Sequence, residues 1–468
     1  MKTMTTRSTY ALTVLACLVA TSAAQAADQP LKAEISNTRS TDQHATNTQD
    51  SHEQSTSSTQ QVDSFSDWLQ QGVVFGELKA MAFNKEFNGI VANEHTRSFG
   101  GELQYRSAEY KGFSFGLGEY IANDFGLNGD SVESELPSEN VNVLGKAFLQ
   151  YRYGGMTVRA GRMGLDTPFA SSLEGRTLIP ALYEGVGATY QLQGNKDLTF
   201  SGYRIYKYKP LDEDSFVRED AGSPRVTDTR MPMVTSDGFT TLGVKYDKHF
   251  GPSAQAWYYD FDKRAQLAYV GGQLPIKALQ FGRATPFIGM DYIKEWDTSD
   301  QADPYKNIDA DLYSVKLGFN SPKHTVLVAG TVVPRKDDAF QNGGYFSPYS
   351  YATYNDTPIA TEQPLASLVT MNQPGRSLAG RYIYHDNRFK AVLGLTRYDL
   401  DSVDQPYASS TRKVKAGFMI LSYDVTDRLN VEFEGDYVDT PYFVTGDFHA
   451  ERFRISYKFG PKMAAAEY

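Results

Sequence analysis

The chain has 468 residues, with 46 Lys and Arg against 56 Asp and Glu, for a formal net charge of -10. That balance argues against a nucleic-acid partner, because a phosphate backbone is met by clustered basic side chains. Aromatic residues make up 13%, with 31 Tyr and 27 Phe against 3 Trp, a mixture that suits short amphipathic strands with aromatic ends; beyond the N-terminus no run of about 18 apolar residues offers a helical membrane span.

In chain order, Lys2 and Arg7 precede the apolar run from Ala11 to Ala20, and Ala24 and Ala26 place small residues ahead of Ala27. Residues 1–26 therefore read as a secretory signal peptide. Cys17 is the single cysteine; Leu15 and the apolar run that continues past it do not suit a lipoprotein site, and cleavage before Ala27 leaves no thiol or disulfide chemistry. Residues 27–64 are rich in Ser, Thr, Gln, Asn and Asp, too polar to offset their ordering entropy, and read as a disordered tail. His44 and His52 within it read as solvated side chains rather than metal ligands.

Residues 65–468 read as one domain. Eighteen alternating runs predict strands near 72–84, 97–108, 112–123, 141–153, 156–162, 185–194, 197–208, 238–249, 253–262, 265–275, 280–294, 309–320, 324–333, 376–386, 388–398, 412–424, 428–438 and 448–459. Connections after even-numbered strands are short and turn-like, such as 109–112, 154–155 and 385–388. Those after odd-numbered strands are mostly long and polar, such as 124–140, 163–184, 209–237 and 334–375; 262–266 is a short exception. This sorting is the pattern of an up-and-down antiparallel β-barrel that crosses a bacterial outer membrane.

Side-chain parity decides which face is wet. Leu429, Val431, Phe433 and Tyr437 alternate with Asn430, Glu432, Glu434 and Asp436, and Phe453, Ile455 and Tyr457 alternate with Arg452, Arg454 and Ser456. A dry core would leave the charged set unsolvated at a cost of several kcal/mol each, so the apolar set is expected to face lipid and the charged set a water-filled lumen. Tyr151, Tyr153, Tyr206, Tyr208, Tyr382 and Tyr384 are expected in interfacial girdles. By the same parity, Arg106, Lys146, Arg152, Arg159, Arg381, Lys413, Lys415, Arg452 and Arg454 should point inward. Glu432, Glu434 and Asp436 are placed to neutralise Lys413, Lys415, Arg452 and Arg454 on neighbouring strands.

No metalloprotease, hydrolase, nucleotide-binding or Cys-pair motif is present. No cofactor, metal site or enzymatic activity is expected, and His95, His249, His324, His385 and His449 read as turn or interface residues. The informative stretch is GRMGLDTPFASSLEGRTLIPALYEG, residues 161–185. With Asp166, Thr167, Pro168, Glu174, Arg176, Leu178, Pro180 and Gly185 it resembles the third loop of the OprD-like outer-membrane porins, and residues 67–83 resemble that family's first strand. The resemblance implies an eighteen-stranded channel, its third loop folded inward as a constriction bearing Asp166, Glu174 and Arg176, and a ladder of basic side chains guiding anionic solutes.

The sequence thus predicts a passive channel for small, carboxylate-bearing solutes, with outer-membrane lipid as its other partner, as a monomer or homotrimer. Two other readings stay open: an adhesin displayed on a barrel, which the Tyr-rich 334–375 segment would serve, and an outer-membrane lipid hydrolase. Phe459 ends the last apolar alternation nine residues before the C-terminus, so the register of the final strand is open.

Overall fold

The computed structural model describes residues 60–128, 140–172, 178–211, 213–218, 236–248, 251–298, 307–345, 349, 358–366, 368, 373–401, 413–440 and 446–461. Eighteen strands build the wall: β1 (Val73–Phe87), β2 (Glu94–Arg106), β3 (Phe113–Asn123), β4 (Val141–Tyr153), β5 (Met156–Met163), β6 (Leu182–Gln191), β7 (Leu198–Lys209), β8 (Phe239–Asp247), β9 (Ser253–Phe261), β10 (Ala265–Pro275), β11 (Thr285–Trp296), β12 (Asp309–Asn320), β13 (His324–Val333), β14 (Gly375–His385), β15 (Phe389–Leu400), β16 (Lys413–Asp424), β17 (Leu429–Asp439) and β18 (Phe448–Phe459). Each pairs antiparallel with its neighbour in sequence, and β1 pairs with β18 from Gly76↔Phe459 to Phe87↔Phe448. The sheet closes on itself and has no free edge. The register left open at the C-terminus is fixed by this pairing, with Phe459 closing the last strand.

A Cβ on Gly76 would lie 2.1 Å from Glu102 O of β2 and 2.6 Å from the Phe459 ring of β18, so glycine lets β1 sit close to both of its neighbours at the seam. The turn from β2 to β3 shows why the even connections can be tight: Lys111 (φ 52°) and Gly112 (φ 85°) both adopt left-handed backbone, the requirement of a type I′ turn that matches strand twist. Next to it, Gln61–Val62 pairs parallel with Glu109–Tyr110, so the segment set at 27–64 ends in ordered structure; residues 1–59 lie outside the described residues. The short helix α1 (Phe65–Gln70) follows, with Ser64 accepting from the Asp67 amide at 3.0 Å and the Trp68 indole donating to Phe113 O at 3.0 Å.

The apolar alternation faces outward. Leu78, Leu103, Leu117, Leu242, Val270, Met290, Leu317, Val328, Leu378 and Leu395 are all exposed on the outer surface, as a wall solvated by hydrocarbon requires. Phe433 belongs to this outer set, while Glu432 and Glu434 point inward and form ion pairs there. Most of the expected girdle tyrosines stand on the outer face, but Tyr208 does not: it is buried inside against Tyr183 and Tyr349. A register shift between Glu184 and Gly185 of β6 reverses the parity of β7 between Tyr206 and Tyr208.

Two of the long connections turn into the barrel. In the connection 164–181, Asp166–Thr167 and Ala170–Ser171 form a small hairpin, and Phe169 at its tip is fully buried against Tyr259 of β9 and Tyr269 of β10, ring centroids 5.5 and 5.4 Å away. The connection 334–374 does the same. Tyr345 meets Phe169, Tyr349 packs on Phe239 and Phe261, and Thr361 hydroxyl-bonds Thr331 and Ser377 on the inner wall at 2.9 Å each. Tyr398 donates to Thr361 O and Ala366 O, both at 2.8 Å. The segment proposed for adhesin display therefore spends its described tyrosines inside.

Candidate functional site

The inner wall from β18 through β5 carries a concentration of basic side chains. Phe148 lies over Gly116, where a Cβ would come within 2.5 Å of the ring, and this low profile lets side chains from β2 and β5 converge across it. The guanidinium of Arg106 is 4.9 Å from the Phe148 centroid and that of Arg159 is 4.4 Å. Both donate to one acceptor, Gln150 Oε1, Arg106 Nη2 at 3.0 Å and Arg159 Nη2 at 2.8 Å. Two like charges are held together by a neutral carbonyl and an aromatic face.

Around this pair, Lys146 donates to Gln104 Oε1 at 3.2 Å, and Arg152 lies 3.6 Å from Glu109 at the short-turn end. On β18, Arg452 pairs with Glu434 at 3.0 Å and Arg454 with Glu432 at 2.7 Å, each directly across from its partner in register. Lys79 of β1, 3.4 Å from Glu77, adds a base that was legible from the parity of its strand yet absent from the expected set. Arg381 of β14 points inward and donates to Glu362 O at 2.8 Å, anchoring the 334–374 connection. Asp436 also points inward and is buried.

The inward bases fall into two rows. Arg106, Lys146, Arg381 and Arg452 are buried, whereas Arg152, Arg159, Arg454 and Lys79 retain partial exposure.

Across the barrel a second polar cluster went unread in the sequence. Tyr269 donates to Asp291 Oδ1 at 2.9 Å, with Lys316 Nζ 3.8 Å from Oδ2. Gly271 and Gly289 make room for it, since a Cβ at either would collide with the Tyr269 hydroxyl or the Lys316 chain. A lone lysine and aspartate on neighbouring strands gave no local motif.

Two expected lumen residues are placed elsewhere. Lys413 and Lys415 are exposed on the outer face of β16, while Val414, Ala416, Phe418 and Ile420 of that strand point inward. Both faces of β16 are apolar along its middle, because Phe418 and Ile420 pack inside on Ile383 and Val392, so alternation could not assign its sides. Lys415 pairs with Asp439, also outside, at 3.2 Å, rather than with the inward Glu432, Glu434 or Asp436. Of the constriction residues, Asp166 is exposed on the inward hairpin; Glu174 and Arg176 lie outside the described residues.

No protein-family model matches the sequence, and no curated protein matches it. The architecture nonetheless has close counterparts among solved structures. This is a closed, eighteen-stranded transmembrane β-barrel with inward-folded connections. Its fold is that of OprD/Occ family porins. OccAB3 of Acinetobacter baumannii superposes with a TM-score of 0.70 at 14% identity, over 84% of this chain and 100% of that chain. OccK8 (OprE) of Pseudomonas aeruginosa gives 0.67 at 13% identity, over 84% and 100%, and the outer membrane protein OpdK from the same organism gives 0.66 at 16%, over 84% and 100%.

Proposed function

We propose that the protein is an outer-membrane porin, a passive diffusion channel that favours small solutes carrying a carboxylate. The single observation behind this reading is the Arg106–Gln150–Arg159 cluster, two guanidinium groups gathered on one acceptor and one aromatic face of the inner wall. A solute anion would exchange water for Arg159, Arg152 and Arg454 in turn, with Arg176 of the loop also attracting the carboxylate, each contact weak enough to leave, while Asp166 or Glu174 of the same loop would orient a cationic group. The signal peptide read at residues 1–26, the outward apolar band and the fold shared with OpdK and OccK8 support placement in the outer membrane with the long connections outside.

The test is single-channel recording from the refolded chain in planar bilayers under a KCl gradient. The expected result is discrete conductance with a reversal potential on the anion side, moved toward the cation side by R159Q combined with R454Q. Absence of conductance removes the channel; a reversal potential indifferent to both substitutions removes the selectivity.

A further inference from the structure

The helix α1 (Phe65–Gln70) is short but two-sided. Phe65, Trp68 and Leu69, at spacings of three and four, share one side, and Ser66, Asp67 and Gln70 share the other. Trp68 fixes the helix to the barrel. Its ring meets Phe115 of β3 edge-on at 5.2 Å, its indole N–H donates to Phe113 O at 3.0 Å, and the Tyr105 hydroxyl of β2 donates to Leu69 O. Gly72, between α1 and β1, permits this closeness, since a Cβ there would come within 2.2 Å of the Tyr105 hydroxyl. Tyr105 and Phe115 have the outward parity of their strands, in line with the exposed Leu103 and Leu117. The helix therefore lies against the outer face of the wall, at its short-turn end.

With Trp68 seated on the wall, Phe65 and Leu69 are 61% and 46% exposed among the described residues. They stand beside a surface that is itself apolar. Leu117 is two residues along β3 from Phe115, roughly 7 Å toward the middle of the wall, and Phe113 meets Tyr151 of β4 at 4.7 Å in the same rim. Aromatic side chains gather at the level of lipid headgroups, so the helix carries the outward apolar band on into that layer. The preceding chain is poorly suited to cover it: between 27 and 59 only Leu31 and Ile35 are large apolar residues.

We infer that α1 is an interfacial anchor whose partner is phospholipid of the leaflet at the short-turn side, with Phe65 and Leu69 inserted at the boundary of headgroups and acyl chains and Ser66, Asp67 and Gln70 turned to water. An amphipathic helix lies in the plane of the interface in this way. Six residues alone would not hold a helix in water; the attachment to Phe115 and Tyr105 supplies the ordering. The anchor also sets the depth at which β1 begins, the strand that closes on β18. The inference rests on the outer-membrane reading above, but not on ion selectivity, since Phe65 and Leu69 stand outside the lumen.

The experiment places an environment-sensitive fluorophore at single cysteines, F65C, L69C, Q70C and M290C, each in the full chain with Cys17→Ser, folded into vesicles of phosphatidylethanolamine and phosphatidylglycerol. Met290, 61% exposed on the outer face of β11, reports the wall itself. Quenching by a lipid-borne nitroxide is compared with quenching by aqueous iodide. The expected result is at least threefold stronger nitroxide quenching at F65C and L69C than at Q70C, iodide in the reverse order, and strong nitroxide quenching at M290C. Equal quenching at the three helix positions with strong quenching at M290C overturns the anchor and leaves the lipid-facing wall standing. Absence of nitroxide quenching at M290C overturns the outer-membrane reading instead. Helix labels that meet nitroxide only after residues 27–59 are deleted assign the apolar side to that segment, and labels shielded from both quenchers in a species of twice the chain mass assign it to a second copy; either overturns the lipid assignment.

Discussion

Arg106 and Arg159, on strands β2 and β5, donate to the same oxygen of Gln150 and lie within 5 Å of the same phenyl ring. Gln150→Leu removes the shared acceptor while keeping the shape. A hydrogen bond to a charged group is worth about 1.5–3 kcal/mol, so the variant should melt lower, and its anion preference should change as Arg159 loses its anchor. Thermal unfolding in detergent and reversal potentials check the two effects; an unchanged value of both would show the shared acceptor to be incidental.

Phe169 sets how far the inward hairpin reaches. Truncating a fully buried phenylalanine costs about 3–5 kcal/mol, here charged mainly to the seating of the hairpin on Tyr259 and Tyr269. Phe169→Ala is expected to raise unitary conductance and its noise, with the strand content by circular dichroism unchanged. Conductance equal to the parent's would mean that the hairpin does not narrow the passage.

Charge reversal separates the two faces of the wall. Arg454→Glu places a negative charge in the lumen and should shift the reversal potential toward cations, whereas Lys415→Glu, on the outside, should leave it within error of the parent. A shift of similar size from both would contradict the outward placement of β16's lysines.

At the short-turn end, Lys323 donates to Asp386 at 2.8 Å, linking the β12–β13 and β14–β15 turns. This donation holds the Asp386 carboxyl below its ordinary range and raises the Lys323 ammonium. A depressed carboxyl contributes stability above its unfolded pKa and loses it as pH falls through the folded value, so the link weakens only in strong acid. Both groups are fully exposed and screened. Asp386→Asn is expected to leave the melting temperature at neutral pH nearly unchanged and to flatten its residual slope in acid, measurable by calorimetry from pH 2 to 6.

Much of the architecture could be read from residues because the outer wall must satisfy lipid everywhere at once. Phe453 and Phe433 face out and Arg452 and Glu434 face in for the same reason, and period-two alternation reports it directly. The rule fails where its cause is absent. Lys413 and Lys415 stand at the long-connection end of β16, where the outer face carries charge as well, Lys415 pairing there with Asp439, and further along β16 Phe418 and Ile420 are apolar on the inside because they pack on Ile383 and Val392. Tyr208 fails for a different reason: a bulge two residues earlier changes its side. The contacts of Phe169 with Tyr269, and of Tyr349 with Phe261, join residues about a hundred positions apart, and nothing in a local pattern encodes them.

The pairing of Gly76 with Phe459 joins residues 383 positions apart, and the wall has no shorter route to completion. A growing or translocating chain therefore remains an open ribbon with two unsatisfied margins until β18 (Phe448–Phe459) arrives. Shortening the chain before Phe448 would not yield a smaller cylinder but leave the twelve β1 residues from Gly76 to Phe87 without their partners. Assembly of this molecule is in that sense decided by its last segment, and a helper that shields the first margin until then would act on β1.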